Sequence, residues 1–276
     1  VISLVAIFSA FSLTGLNTAL VQATAKGYYA TLTNVFRYSI RWSIGTSLLC
    51  FLFGLYYFLQ NNTVLGVSMI VAGFFSPIMS SAGLFASHLN GKKQFKTLSI
   101  YNSIDAIVPI ICLIITALQT QNPIIIISVF FVSNAGIASI LYKITAKNIE
   151  SGAQSDPDIK KYALKLSIIN ILSIITAQID KVLVFTYLGS AELALYSFAT
   201  LIPDQIRAGA KNLTTLMVPK IAEKDDREVI SIAPKVLRLF LFLLFITILY
   251  FFFSPLLFSL LFPEYITSVP YSQWYA

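Results

Sequence analysis

The sequence predicts an all-α protein, a polytopic transmembrane helical bundle of eight spans with the start of a ninth. Three observations predict it. The chain of 276 residues is 57% hydrophobic and only 11% charged, with a mean hydropathy of +0.80, whereas soluble domains carry roughly a quarter charged residues. Its apolar residues fall in long uninterrupted stretches, each near the roughly 20 residues a helix needs to cross hydrocarbon. The breaks between stretches are short and polar, and alternate breaks collect the lysines and arginines. With 12 glycines and 10 prolines the chain is neither collagen-like nor low in complexity.

The stretches run over about 1–22, 38–59, 64–87, 97–118, 123–145, 162–188, 192–218 and 235–258, and the residues from about Ser268 open the ninth. The segment 240–253, Phe-Leu-Phe-Leu-Leu-Phe-Ile-Thr-Ile-Leu-Tyr-Phe-Phe-Phe, is apolar on every side. A buried soluble helix reads like that once, not eight times. Strands of a membrane barrel would alternate over about ten residues, and these stretches do not. The predicted breaks are Gln60-Asn61-Asn62, His88 to Gln94, Gln119 to Asn122, and Leu188-Gly189-Ser190. A longer break from Lys147 to Lys161 is the candidate linker between two halves. Within it Asp156-Pro157-Asp158 suits a helix start, with acid near the positive end of the dipole and proline in the first turn. The domain reading is therefore 1–149, the remnant of an N-terminal transmembrane lobe; 150–161, a cytoplasmic linker; and 162–276, the first part of a C-terminal lobe.

Charge placement predicts the orientation. One set of breaks, with the adjoining helix ends, holds every basic residue except Lys181 and Arg207. By the positive-inside rule that face is cytoplasmic. The first span then begins outside, so an odd number of spans is expected upstream of Val1, and the chain reads as a fragment. The net charge of +7 thus reports orientation rather than nucleic-acid binding. Cys50 and Cys112 lie in apolar runs and form no metal spacing, and His88 is the single histidine. His88, beside Lys92 and Lys93, reads as a membrane-interface residue. No nucleotide loop, dinucleotide fingerprint or zinc-protease motif is present in the sequence. No enzyme activity and no cofactor or metal is expected.

Ionisable residues inside spans are the candidate functional groups, because charge at that depth is costly and faces protein or water. They are Asp105, Asp180, Lys181, Asp204 and Arg207. Asp204 and Arg207 are three apart and Arg207 and Lys211 four apart, so all three share a helix face. Pro203 is expected to disturb the helix beside them and free backbone carbonyls. This face suits a hydrated cavity for an anionic substrate, with arginine matching phosphate oxygens through its fork of donors. It is equally compatible with internal neutralisation of Arg207 by Asp204, and of Lys181 by Asp180. Arg37, Arg41 and Trp42 form an interfacial anchor pattern; in a functional version Arg41 points into the cytoplasmic mouth of a cavity. The substrate-binding candidates are Arg41, Arg207, Lys211 and Asp204, and the gating or ion-pair candidates are Asp180, Lys181 and Asp105.

The segment from Gln178 to Ser197, with Asp180-Lys181, Gly189 and Tyr196, resembles the seventh span and following loop of polysaccharide-type flippases. These include bacterial O-antigen and capsule repeat-unit translocases of the multidrug/oligosaccharidyl-lipid/polysaccharide exporter superfamily. The first span and loop, with Gly15 to Ala19 and Lys26-Gly27-Tyr28-Tyr29, are similar to that family's second span and first cytoplasmic loop. The resemblance implies spans two through nine of a protein with twelve or more, in two pseudo-repeated six-helix lobes. It implies translocation of undecaprenyl-diphosphate-linked oligosaccharide across the inner (cytoplasmic) membrane for O-antigen, lipopolysaccharide or capsule biosynthesis. The implied partners are the lipid-linked oligosaccharide, membrane lipids, a coupling Na+ or H+ and polysaccharide polymerase machinery, with no nucleic acid. Rival readings are a cation-coupled multidrug exporter of the same superfamily, a membrane-embedded glycan polymerase or glycosyltransferase, and an inactive fragment.

Overall fold

The structure, a computed structural model, describes residues 1–149, 154–222 and 233–276, and for 210–222 and 233–236 it describes the course of the backbone alone. The described residues are helical, with no strand among them. Among the described residues, six helical segments are long and apolar enough to cross a membrane: Thr31–Leu59, Thr63–Gly91, Phe95–Gln119, Pro123–Lys147, Ile159–Leu188 and Leu237–Leu261. The chain is thus built as a multi-pass membrane protein. It divides into two compact units, Val1–Ile179 and Asp180–Ala276.

The first unit holds α1 (Ile2–Ser9), α2 (Leu16–Ala25), α3 (Thr31–Leu59), α4 (Thr63–Ala82), α5 (Leu84–Gly91), α6 (Phe95–Gln119), α7 (Pro123–Lys147) and α8 (Ile159–Thr176). Here α3 packs on α4, α4 on α7, α7 on α6, and α2 on both α5 and α8. One core cluster gathers Leu16, Leu20, Leu32, Val35, Leu84 and Ala163. A second gathers Val5, Phe8, Cys50, Met69, Ala72 and Phe131. The polarity is that of a protein solvated by lipid. Ile107, Ile110, Ile111 and Ile114 of α6 are exposed, while Ser39, Ser43, Ser68 and Ser81 are buried.

Helix ends fall at the predicted breaks for local reasons. Asn61 turns the chain with φ 59°, and the Asn62 side chain accepts the Leu65 N–H at 3.1 Å to start α4. Asn122 accepts the Ile124 N–H at 3.0 Å, with Pro123 in the first turn of α7. The predicted span 1–22 departs from expectation, because it is two short helices. The Ser9 hydroxyl donates to the Ala6 carbonyl at 2.6 Å, and that of Ser12 to the Ser9 carbonyl at 2.5 Å. These local bonds compete with helix continuation. The Gly15 N–H then takes a distant partner and donates to Ser167 Oγ of α8 at 2.9 Å. His88, near the end of the apolar segment Thr63–Gly91, is 1% exposed, with Nδ1 3.4 Å from Thr24 Oγ1 between α5 and α2. It is buried against protein.

The second unit holds α9 (Ile179–Leu188), α10 (Ser190–Ala222), α11 (Ala233–Leu261), a 3-10 helix (Pro263–Ser268) and α12 (Val269–Tyr275). Gly189 joins α9 to α10 at φ 93°, a conformation that costs a residue with a Cβ. The 3-10 helix and α12 pack back on α10 and α11. Phe198 stacks on Tyr265 with ring centroids 3.9 Å apart. The predicted span 192–218 lies inside α10, which is not among the six apolar segments, since it carries Glu192, Asp204 and Arg207. α10 runs through Pro203, and the Ala199 carbonyl that the proline frees accepts from another helix, as expected.

Candidate functional site

Three places in the fold collect polar chemistry. The first is a cleft of about 500 Å³ in the first unit. Asn34, Arg37, Tyr38 and Arg41 follow one another at helical spacing on α3, so the first three turns of that helix present them on one side. The opposite wall is the chain leading into α8, with Ser155, Asp156 and Lys160. Hydrogen bonds tie the two walls together. The Asn34 amide donates to Ser155 Oγ at 3.0 Å, the Asp156 N–H to Thr31 Oγ1 at 2.9 Å, and the Ala30 N–H to the Gln154 carbonyl at 3.2 Å. Asp156 turns its carboxylate on the Asp158 N–H at 2.9 Å, which begins α8 as the Asp-Pro-Asp pattern predicts. Lys160 Nζ sits 4.1 Å from the centre of the Tyr38 ring. Arg37, Arg41 and Lys160 thus face one carboxylate, and the cleft keeps an excess of positive charge.

A cavity of about 400 Å³ in the first unit holds Asp105 of α6, with Asn17, Ser43, Thr46, Ser76 and Asn134 among its walls. No lysine or arginine lines it among the described residues.

In the second unit, Asp180 accepts two hydrogen bonds: the Tyr196 hydroxyl at Oδ2, and the Lys181 backbone N–H at Oδ1, 2.8 Å away. The turn at Gly189 folds α10 back on α9 and brings Tyr196 to Asp180. Tyr275 of α12 reaches both charged residues of α10. Its carbonyl accepts from Arg207 Nη2 at 2.7 Å, its ring lies 4.2 Å from the Arg207 guanidinium carbon, and its hydroxyl donates to Asp204 Oδ1 at 3.4 Å. Tyr196 and Tyr275, with Tyr271, Trp274 and Glu192, line a pocket of about 490 Å³.

The predicted site residues are therefore distributed. Arg41 and Asp105 line separate cavities of the first unit, while Asp180, Lys181, Asp204 and Arg207 belong to the second. Lys211 lies outside the residues whose side chains are described, as do Lys220, Lys224, Arg227 and Lys235 of the same basic set. Sequence reasoning assigned no binding role to Lys160 or Tyr275. Neither carries a local signal, since each meets its partner across a long stretch of chain. The spacing of Asn34, Arg37, Tyr38 and Arg41 was the available clue to the cleft.

A family model described as polysaccharide biosynthesis protein matches residues 1–269. The chain belongs to that family. The match spans the two sites of the first unit and reaches into the second, ending before Tyr271, Trp274 and Tyr275. Membership places this multi-pass membrane chain in polysaccharide biosynthesis. No curated protein and no solved structure matches it.

Proposed function

We propose that the chain is part of a flippase that moves undecaprenyl-diphosphate-linked oligosaccharide across the cytoplasmic membrane for O-antigen or capsule assembly. The observation that carries the reading is the basic cleft of Arg37, Arg41 and Lys160, which lies on the side the positive-inside rule makes cytoplasmic. A diphosphate needs several donors in fixed geometry, and two guanidiniums with an ammonium supply them. The glycan then occupies hydrated space, the prenyl tail stays in lipid, and opening to the other face releases the glycan outside. In this reading the broken segment 1–22 and the charged helix α10 are the two further spans that bring six to eight. No covalent step is involved.

The test is translocation of labelled undecaprenyl-diphosphate oligosaccharide in proteoliposomes holding the complete protein. Arg41→Gln removes a charge-assisted contact worth about 1.5–3 kcal/mol, so substrate affinity falls at least about tenfold. Arg207→Ala is the second variant: loss of transport with the fold intact would add Arg207 to the substrate path. Normal transport would leave it as the brace on Tyr275. A folded wild-type protein that moves no substrate refutes the proposal.

A further inference from the structure

We infer that a small hollow between α5, α6 and α7 is a binding site for a phosphate group. It lies at the turn from α5 to α6, beside the last turn of α7, on the face that the positive-inside rule makes cytoplasmic. Its volume is about 110 Å³. Pockets for drug-sized ligands run to roughly 300–1,000 Å³, so this one takes a single small group rather than a glycan or a nucleotide.

The wall is built of donors. Lys92 supplies an ammonium, Gln94 and Asn148 supply amide N–H groups, and Thr97 and Tyr101 supply hydroxyls. Among the described residues none of these five side chains donates a hydrogen bond to protein, and no carboxylate shares the wall. The proton of Thr145, by contrast, is committed to the Leu141 carbonyl at 2.8 Å. Free donors with a positive charge and no acid select an anion, and phosphate oxygens accept from several directions at once.

His88 makes the case from inside the fold. It is 1% exposed, yet it lines the hollow. Its Nδ1 is held 3.4 Å from Thr24 Oγ1 of α2. With Thr24 donating there, Nε2 carries the ring proton, and among the described residues that N–H meets no protein acceptor. Buried polar groups are almost always satisfied, so an unspent donor on a buried ring that lines a cavity points to a ligand. Tyr29 brings imidazole and ammonium to one place. Its ring meets that of His88 edge-on, with centroids 6.2 Å apart, and carries the Lys92 ammonium 4.4 Å from its centre. α6 then starts beside them with no capping side chain and no acid in its first turn, so its first N–H groups add to the positive field.

The surroundings point to a phospholipid headgroup as the source of the phosphate. Thr97, Tyr101 and Ile104 follow one another at helical spacing along α6, as do Asn148, Ile144 and Ile140 along α7. Ile104, Ile140 and Ile144 are exposed. The polar hollow therefore continues, toward the membrane interior, into an apolar track on the same two helices. A headgroup phosphate fills the hollow while its acyl chains follow the isoleucines, as basic pockets between transmembrane helices on the cytoplasmic side take anionic head groups.

The site is independent of the flippase reading, and a failure of either assay leaves the other untouched. The experiment measures retention of radiolabelled phosphatidylglycerol by the full-length protein, immobilised from detergent and freed of native lipid. Radiolabelled inorganic phosphate is the second arm. Wild type is expected to hold one phosphatidylglycerol per chain saturably. Lys92→Gln should weaken that binding about tenfold and Thr97→Val about fivefold. Thr97→Val keeps the shape of the side chain, and it carries the test if Lys92→Gln disturbs the contact with Tyr29. Lys161→Gln is the control: it removes the same charge from an exposed position on the same face, outside the hollow, and should leave the affinity unchanged. Binding of inorganic phosphate alone, weakened by the same two variants, keeps the site and makes free phosphate its ligand. No saturable binding of either probe by folded wild type overturns the inference. An equal loss in Lys161→Gln overturns it as well, since the attraction then belongs to the basic face as a whole.

Discussion

Gly15 offers the sharpest test of how the first unit is held together. A methyl placed there would lie 2.6 Å from Leu166 Cβ and 2.7 Å from the Ser167 nitrogen, and would strike the Ala163 carbonyl. Carbon atoms in good contact are about 3.5–4.0 Å apart. The obstructing atoms belong to the backbone and Cβ positions of α8, so no side-chain rotation relieves them. Gly15→Ala must push α8 away by roughly 1 Å, at the 1–3 kcal/mol typical of overpacking. The same shift stretches the bond from the Gly15 N–H to Ser167 Oγ, worth about 0.6 and at most about 1.7 kcal/mol in membrane proteins. The expected loss is about 2–4 kcal/mol. Gly136→Ala is the control, since nothing lies within 4 Å of its added Cβ, and it gains about 0.5–1 kcal/mol of helix propensity. Both variants are unfolded by SDS titration in mixed micelles and followed by circular dichroism. The two substitutions should move the midpoint in opposite directions. Equal midpoints for Gly15→Ala and Gly136→Ala would refute the close packing of α2 on α8. Because α8 carries Lys160, the Gly15 variant should also weaken diphosphate-lipid binding.

Three further outcomes follow from the same contacts. Ser272→Ala leaves the Ala199 carbonyl and the Tyr250 hydroxyl without their partner, so it should destabilise the second unit by about 0.6–1.7 kcal/mol; Tyr250→Phe should cost less, and the reverse order in SDS titration would count against the assignment. Tyr196→Phe takes a donor from Asp180 and should cost about 1.5–3 kcal/mol, with Tyr196→Trp no better, as read by thermal melting in detergent. In a background lacking Cys50 and Cys112, Gln121→Cys should react with an impermeant maleimide in intact cells and Lys93→Cys only after permeabilisation; the opposite pattern would invert the topology.

The helix breaks were legible because each carries its own chemistry: Asn62 and Asn122 cap the helices they precede, and Gly189 supplies a left-handed turn. The fold class was legible because repeated apolar stretches have few other solutions. The split of 1–22 was not, since it depends on Ser9 and Ser12 bonding to their own helix, which an apolar window averages away. The candidate site was legible as residue types, not as partners. Asp204 and Arg207 stand at pairing distance along one helix, yet both also engage Tyr275, about 70 residues on, which no spacing rule finds. Arg41 was read as a charge at the mouth of a cavity, but the cleft it lines needs Lys160 from beyond the long break. The sequence reading divides the chain at 150–161, whereas its compact units part at Ile179, because α8 is anchored to α2 through Gly15 and Ser167.

The prolines bear on how such a molecule can move. A proline inside a helix withdraws one N–H and frees the carbonyl four residues earlier, and in lipid that carbonyl needs another donor. Pro77 frees Gly73, which accepts from Ser47 Oγ of α3 at 2.8 Å. Pro203 frees Ala199, which accepts from Ser272 Oγ of α12 at 2.6 Å. Pro255 frees Phe251, which accepts from Gln273 Nε2 of α12 at 2.9 Å as well as from Ser254 Oγ of its own helix at 3.1 Å. In each case a substitute donor comes from another helix of the same unit, so the proline is a docking point rather than a hinge. Bending there would break the cross-helix bond and expose the carbonyl to hydrocarbon. Pro109 is a further proline inside a helix, and the carbonyl it frees belongs to Asp105. Among the described residues that carbonyl gains no side-chain donor from another helix, so α6 beside Asp105 lacks the cross-helix bond that fixes the other three prolines and is the freer to bend.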